Sequence, residues 1–134
     1  MCMADYCDEY VTELSNRRHT ARKEHKCVEC YRIIQIGETY NLQFCVLSGN
    51  MEIYKTCAHC QVVKAWLEKE CGGYLFLSVY DDILEHAREG YGLRVKMLAI
   101  GMQRKWKRKD GRMWPVPKLP PLTVSNGSKY RGNL

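Results

Sequence analysis

Apolar and polar residues alternate along Tyr40–Val46, placing Tyr40, Leu42, Phe44 and Val46 on one face of a strand and Cys45 on the other. Ser48-Gly49-Asn50 has turn chemistry, and Met51–Thr56 returns as a second strand, so 40–56 predicts a β-hairpin. Upstream, Tyr31–Ile36 reads as extended chain with a turn at Gly37-Glu38. After Cys57 the period changes. Val62 and Val63 are followed four residues later by Trp66 and Leu67, which predicts a helix over 57–71, capped by Thr56 and stopped by Gly72-Gly73. Ser78-Val79-Tyr80-Asp81 resembles a capping box, and Ile83, Leu84 and Ala87 continue as a helix toward Gly90. A further helix is expected over 93–107, with Leu93, Met97, Ile100, Leu98 and Met102 facing inward and Gly101 allowing close packing. Residues 78–107 therefore read as an αα-hairpin. At the N-terminus, Tyr6, Tyr10 and Leu14 recur every four residues beside Val11, which predicts a short helix over 5–18. Pro115, Pro117, Pro120 and Pro121 impose extended chain, and Thr123–Leu134 reads as a loose tail.

Composition narrows the class. The 134 residues are 46% hydrophobic and 27% charged, values of a globular protein rather than a disordered one. No apolar run is long enough for a transmembrane helix, and Met1–Tyr10 lacks a signal-peptide pattern, so no membrane is expected and the cytoplasm of a bacterial host is the expected location. Disulfides rarely persist there, which redirects the meaning of the eight cysteines. Four form two Cys-x-x-Cys pairs, Cys27/Cys30 and Cys57/Cys60. Each short spacer lets one backbone turn present two thiolates, and two such turns complete the tetrahedral shell that Zn²⁺ prefers. One structural zinc is expected. A redox dithiol would need a βαβ context that is absent. Cys45 and Cys71 read as packing residues. Cys2 and Cys7 with His19 or His25 are the candidates for a second metal site, a question left open. His59 should point away from the metal, and His25 should lie beside the ligands or in solvent.

A knuckle with two cysteines, a β-hairpin, and a helix whose first turn carries two more is the order of a treble clef. The fold class is α+β: a zinc-stapled treble clef with an N-terminal helix, a C-terminal αα-hairpin and an extended tail. The corresponding divisions are 1–26, 27–73, 74–112 and 113–134. More closely, Ala21-Arg22-Lys23 before His25 and Cys27-Val28-Glu29-Cys30, followed by Ile34, Gly37-Glu38 and Tyr40, resembles small uncharacterised proteins of phages and prophages. There, an "ARK-x-H-x-C-x-x-C" knuckle precedes an "I-x-x-GE-x-Y" strand. Trp106-Lys107-Arg108-Lys109-Asp110-Gly111 and Pro115-Val116-Pro117 are also similar to that group. The group usually carries Gly after the knuckle, where this chain has Tyr31. The resemblance implies zinc and a phage setting, without one agreed activity.

The charge is uneven. The net +6 resolves into balance over 1–26, −1 over 27–71, −3 over 72–92 and +10 over 93–134. Arg104, Lys105, Trp106, Lys107, Arg108, Lys109 and Arg112 combine cations with an aromatic ring, the composition that neutralises phosphates and stacks bases. Arg17, Arg18, Arg22 and Lys23 form a second basic strip. Asp81, Asp82, Glu85 and Glu89 give the next helix an acidic face that could imitate phosphate in an Arg-lined groove. An HNH-type nuclease also uses a treble clef, but it needs a His base on the hairpin and metal-binding groups on the helix, where only His59 is present. The leading expectation is a non-enzymatic interaction protein. It would bind and modulate a host nucleic-acid-processing or defence complex, including a CRISPR effector. The alternative is direct DNA or RNA binding through 104–112 and 17–26, and a zinc nuclease is the third reading. The oligomeric state is not legible.

Overall fold

The computed structural model describes residues 11–122. Among them five strands precede three helices: β1 (Val11–Thr20), β2 (His25–Lys26), β3 (Ile33–Ile34), β4 (Thr39–Leu47), β5 (Asn50–Cys57), α1 (Ala58–Cys71), α2 (Val79–Arg88) and α3 (Leu93–Gln103). The fold is mixed α+β with antiparallel sheets. A three-stranded sheet runs β1-β4-β5, and β2 pairs with β3 in a second, two-stranded one. No helix among the described residues is long and apolar enough to cross a membrane.

The predicted hairpin is present as β4–β5, in register from Tyr40↔Cys57 to Leu47↔Asn50. Its two-residue turn, Ser48-Gly49, has positive φ at both positions (51° and 86°), the twist that matches flanking strands. The helix expected over 5–18 is not formed where it can be seen. Val11–Thr20 is a strand paired with β4 from Val11↔Leu47 to Thr20↔Thr39. A bulge between Glu13 and Ser15 shifts the register, and Leu14, expected to pack, is 54% exposed there. Residues 5–10 of that expectation lie outside the described residues.

On β4 the more deeply buried pair is Gln43 and Cys45, while Leu42, Phe44 and Val46 are half-buried. Gln43 is satisfied there, accepting from Lys64 Nζ (2.9 Å) and donating to Glu13 Oε1 (2.9 Å) and Tyr74 Oη (3.2 Å). Thr56, expected to cap α1, instead accepts from the same Lys64 ammonium at 2.7 Å. Cys57 is the N-cap, its sulfur accepting from Cys60 N. Gly72 ends α1 in the left-handed region (φ 81°), as expected of a C-cap glycine. Val63, Trp66 and Leu67 turn into a core shared with Ile83 and Ala87 of α2 and Val95, Leu98, Ala99 and Met102 of α3.

The helical hairpin α2–α3 is present with two differences. Ser78 makes no side-chain cap. The buried Glu29 carboxylate, from the turn between Cys27 and Cys30, accepts instead from Leu77 N (2.9 Å) and Val79 N (3.3 Å). Burial pushes its pKa above the usual carboxylate range, and the two amides pull it back. Glu29→Ala should therefore cost about 2 kcal/mol and Glu29→Gln less, measured by urea unfolding. An unchanged midpoint for Glu29→Ala would refute the cap. On α3, Val95, Leu98, Ala99 and Met102 pack inward, whereas Leu93, Met97 and Ile100 are exposed, Leu93 at 73%. The helix stops at Gln103 rather than 107. Positive φ at Lys105 and Trp106 reverses the chain, with Trp106 N donating to Gly101 O at 2.7 Å. A Cβ at Gly101 would collide with the Trp106 ring, which accounts for the glycine.

The proline-rich segment runs alongside α1. His59 binds Trp114 O and Trp66 Nε1 binds Pro121 O, so the segment advances in the same direction as the helix. The loose tail expected from Thr123 lies outside the described residues.

Candidate metal centre and its charged surroundings

The chain reverses between β2 and β3, closed by Tyr31 N donating to Cys27 O and Cys27 N to Arg32 O, both at 2.9 Å. Tyr31 takes φ 67°, the left-handed conformation that a glycine adopts without strain. Val28 N also donates to Lys55 O (2.9 Å), which lays this turn against the end of β5. Cys27 and Cys30 thereby meet Cys57 and Cys60 at the start of α1. All four are buried and unoxidised, and their sulfurs lie within 4.8 Å of one another. Metal–sulfur bonds of about 2.3 Å in a tetrahedron place sulfurs about 3.8 Å apart, and Cys30 Sγ and Cys57 Sγ are 3.9 Å apart. The donor set fits one four-coordinate metal ion.

Backbone and indole N–H groups point at the sulfurs. Cys57 N lies 3.4 Å from Cys27 Sγ, Cys60 N 3.4 Å from Cys57 Sγ, and Trp106 Nε1 3.3 Å from Cys60 Sγ. The crowded thiols do not ionise alike. Hydrogen bonds from Cys27 and Cys30 hold Cys57 low, whereas burial holds Cys60 high. Four thiolates around a divalent ion leave a net −2, and two cations stand near it. Buried Arg32 makes a two-pronged pair with Glu38 (2.7 and 3.0 Å). Lys64 is fully buried, its ammonium 5.2 Å from both the Tyr74 and Phe76 ring centres; burial lowers its pKa and the charge of Glu29 opposes this.

His59 is not one of the four clustered residues, but its side chain reaches the Cys57 thiol and helps to hold that thiol low. Its Nε2 donates to Trp114 O at 2.6 Å, since a carbonyl only accepts. Its Nδ1 therefore accepts from Arg32 Nη2 at 3.4 Å. His25 approaches Lys55 Nζ (3.2 Å) and the Tyr40 ring, and His19 also faces Tyr40, so neither joins the four sulfurs. Cys2 and Cys7 lie outside the described residues. Cys45 is fully buried within the sheet. Cys71 is disulfide-bonded, not the free packing thiol expected from a reducing compartment, and its sulfur lies 3.4 Å from His86 Nε2.

The basic residues split by position. Arg104, Lys105, Lys107, Arg108, Lys109 and Arg112 are exposed on a short loop closed by Trp114 N→Trp106 O and Arg108 N→Arg112 O, both 2.7 Å. Trp106, expected to stack bases among them, is fully buried against Cys60 and Gly101. The half-buried aromatic of this lobe is Trp114, at the head of the proline-rich run. Arg18, Arg22 and Lys23 line an open groove with His25 and Tyr40, and Arg17 is exposed on β1. On α2 Asp81 and Glu85 are exposed, as is Glu89 at its C-cap, but Asp82 leaves the acidic face: it is fully buried beside His86 Nδ1 at 3.2 Å. Burial alone would lower the His86 pKa, yet Asp82 raises it above the usual value.

Arg32, Lys64 and Glu29 also escaped sequence reading. Glu29 and Lys64 act on partners distant in the chain and Arg32 pairs with Glu38 across a turn, and isolated charged residues carry no periodic signal. No protein-family model, curated protein or solved structure matches the chain.

Proposed function

We propose that the protein is a non-enzymatic, zinc-stapled interaction protein whose working surface is the basic lobe 104–118. One observation carries this reading: the lobe is fastened directly to the metal-ligand helix. Trp106 Nε1 bonds Cys60 Sγ, and Trp114 O accepts from His59. The metal site thus orients a cationic surface. Zinc is the ion that four cysteines in this geometry favour, and a full thiolate shell leaves no open position for chemistry. The order of cysteine turn, hairpin and helix supports a treble-clef reading. Together with the phage-like motifs, the lobe suits attachment to a nucleic-acid-processing or defence complex of a bacterial host, a CRISPR effector being one such target.

The exposed cations favour a second reading, direct contact with DNA or RNA. Among the described residues, the acid paired within the lobe is Asp110, on Arg112 at 3.6 Å. Affinity capture from bacterial lysate, with and without nuclease, separates the two. A defined protein complex that survives nuclease is expected, and it should be lost when Arg104, Lys105, Lys107 and Arg108 are all changed to Glu. A complex that vanishes with nuclease favours direct contact instead. Capture indifferent to the fourfold charge reversal would refute the lobe as the working surface.

A further inference from the structure

Trp114 separates two adjoining slots. One, of about 250 Å³, is lined by Met97, Trp106, Trp114 and Pro117, with Arg94 and Lys118 beside them. The other shares Met97 and Trp114 and adds Pro115, Arg104, Arg108 and Lys109. Five cations therefore border two apolar clefts, and among the described residues no carboxylate lines either one. The indole is half-buried and braced edge-on by Trp106, 5.9 Å away at 77°. Its backbone is pinned at both sides, N to Trp106 O and O to His59, so the ring is held in place without a ligand.

We infer that Trp114 and Met97 form a stacking site for single-stranded nucleic acid, with the surrounding Arg and Lys side chains taking the phosphates. This rests on the direct-contact reading above. A duplex keeps its bases stacked inside and offers only phosphate. A single strand offers a flat apolar ring with each phosphate, the pairing of surfaces found around Trp114. An acidic peptide would match the cations but leave the apolar clefts without a ring to fill them.

The test uses the metal-loaded full chain and fluorescence anisotropy with labelled oligo-dT and oligo-U of about 12 nucleotides, a duplex of equal length, and polyglutamate. Trp114→Ala should weaken single-strand binding about tenfold, with Trp114→Phe restoring most of it and the duplex unaffected. Comparing the dT and U arms tells DNA from RNA. Because Trp114→Ala could disturb the fold, Met97→Gln serves as a second variant. Met97 is an exposed α3 residue, and its substitution should weaken single strands severalfold at an unchanged melting temperature. Single-strand binding equal to the parent in both variants would overturn the stacking site while leaving direct contact standing. Polyglutamate bound as tightly as the oligonucleotides would overturn the nucleic-acid assignment. Failure of the parent to bind any oligonucleotide would overturn direct contact itself.

Discussion

Cys57→Ser, or removal of the metal by a chelator, is expected to unfold the region around the four cysteines rather than trim its stability. Cys57 does three jobs at one fully buried position. It supplies one of the four clustered sulfurs, that sulfur caps α1 through Cys60 N, and its own N–H donates to Cys27 Sγ. Structural Zn²⁺ sites of this kind supply about 10–16 kcal/mol of apparent binding energy, which is folding energy where no site exists in the unfolded chain. The whole stability of such a domain is only about 5–15 kcal/mol. The loss therefore exceeds what packing of Ile34, Val63 and Trp66 can retain. Cys45→Ser is the matched control: an equally buried sulfur on β4, outside the cluster, whose change should cost about 1–3 kcal/mol and leave the metal bound. Circular dichroism and metal analysis on the same samples decide the matter. A folded, metal-free Cys57→Ser protein would sink the metal assignment.

What could be read in the sequence was what is local. The two Cys-x-x-Cys pairs, the Ser48-Gly49 turn and the Gly72 stop are each specified within a few residues, and all sit where expected. The failures are non-local. β1 reads as a helix because Tyr6, Tyr10 and Leu14 keep a period of four, while the bulge beside Leu14 hides the strand's alternation; its pairing partner lies a whole hairpin away. Glu29 caps a helix 50 residues downstream, a role invisible to any window of sequence. On α3 apolar residues occupy two faces, so periodicity could not say whether Leu93, Met97 and Ile100 or Val95, Leu98 and Met102 turn inward. The basic lobe was found by composition, but its aromatic was misassigned. The clue was Gly101, five residues before Trp106, where a missing Cβ makes room for a large ring.

That misassignment yields the second large effect. Trp106→Ala is expected to destabilise the fold by about 3–5 kcal/mol, lowering the melting temperature by roughly 10–20 °C. The ring is fully buried between Gly101 and His59, whose ring centre is 5.3 Å away, and its N–H is the indole donor on Cys60 Sγ. Truncation opens a cavity beside the metal site, deprives a thiolate of its hydrogen bond, and removes the edge that braces Trp114. Trp106→Phe separates these contributions. It keeps most of the volume and loses the N–H, so it should cost about 1 kcal/mol and release metal to a chelator faster than the parent. Had Trp106 been a ligand-stacking residue, the alanine variant would melt like the parent and lose only binding, the behaviour expected instead of Met97→Gln. Thermal melts of Trp106→Ala and Met97→Gln side by side therefore test the same geometry twice: a large drop for the first and none for the second places Trp106 in the scaffold and leaves Met97 to the partner.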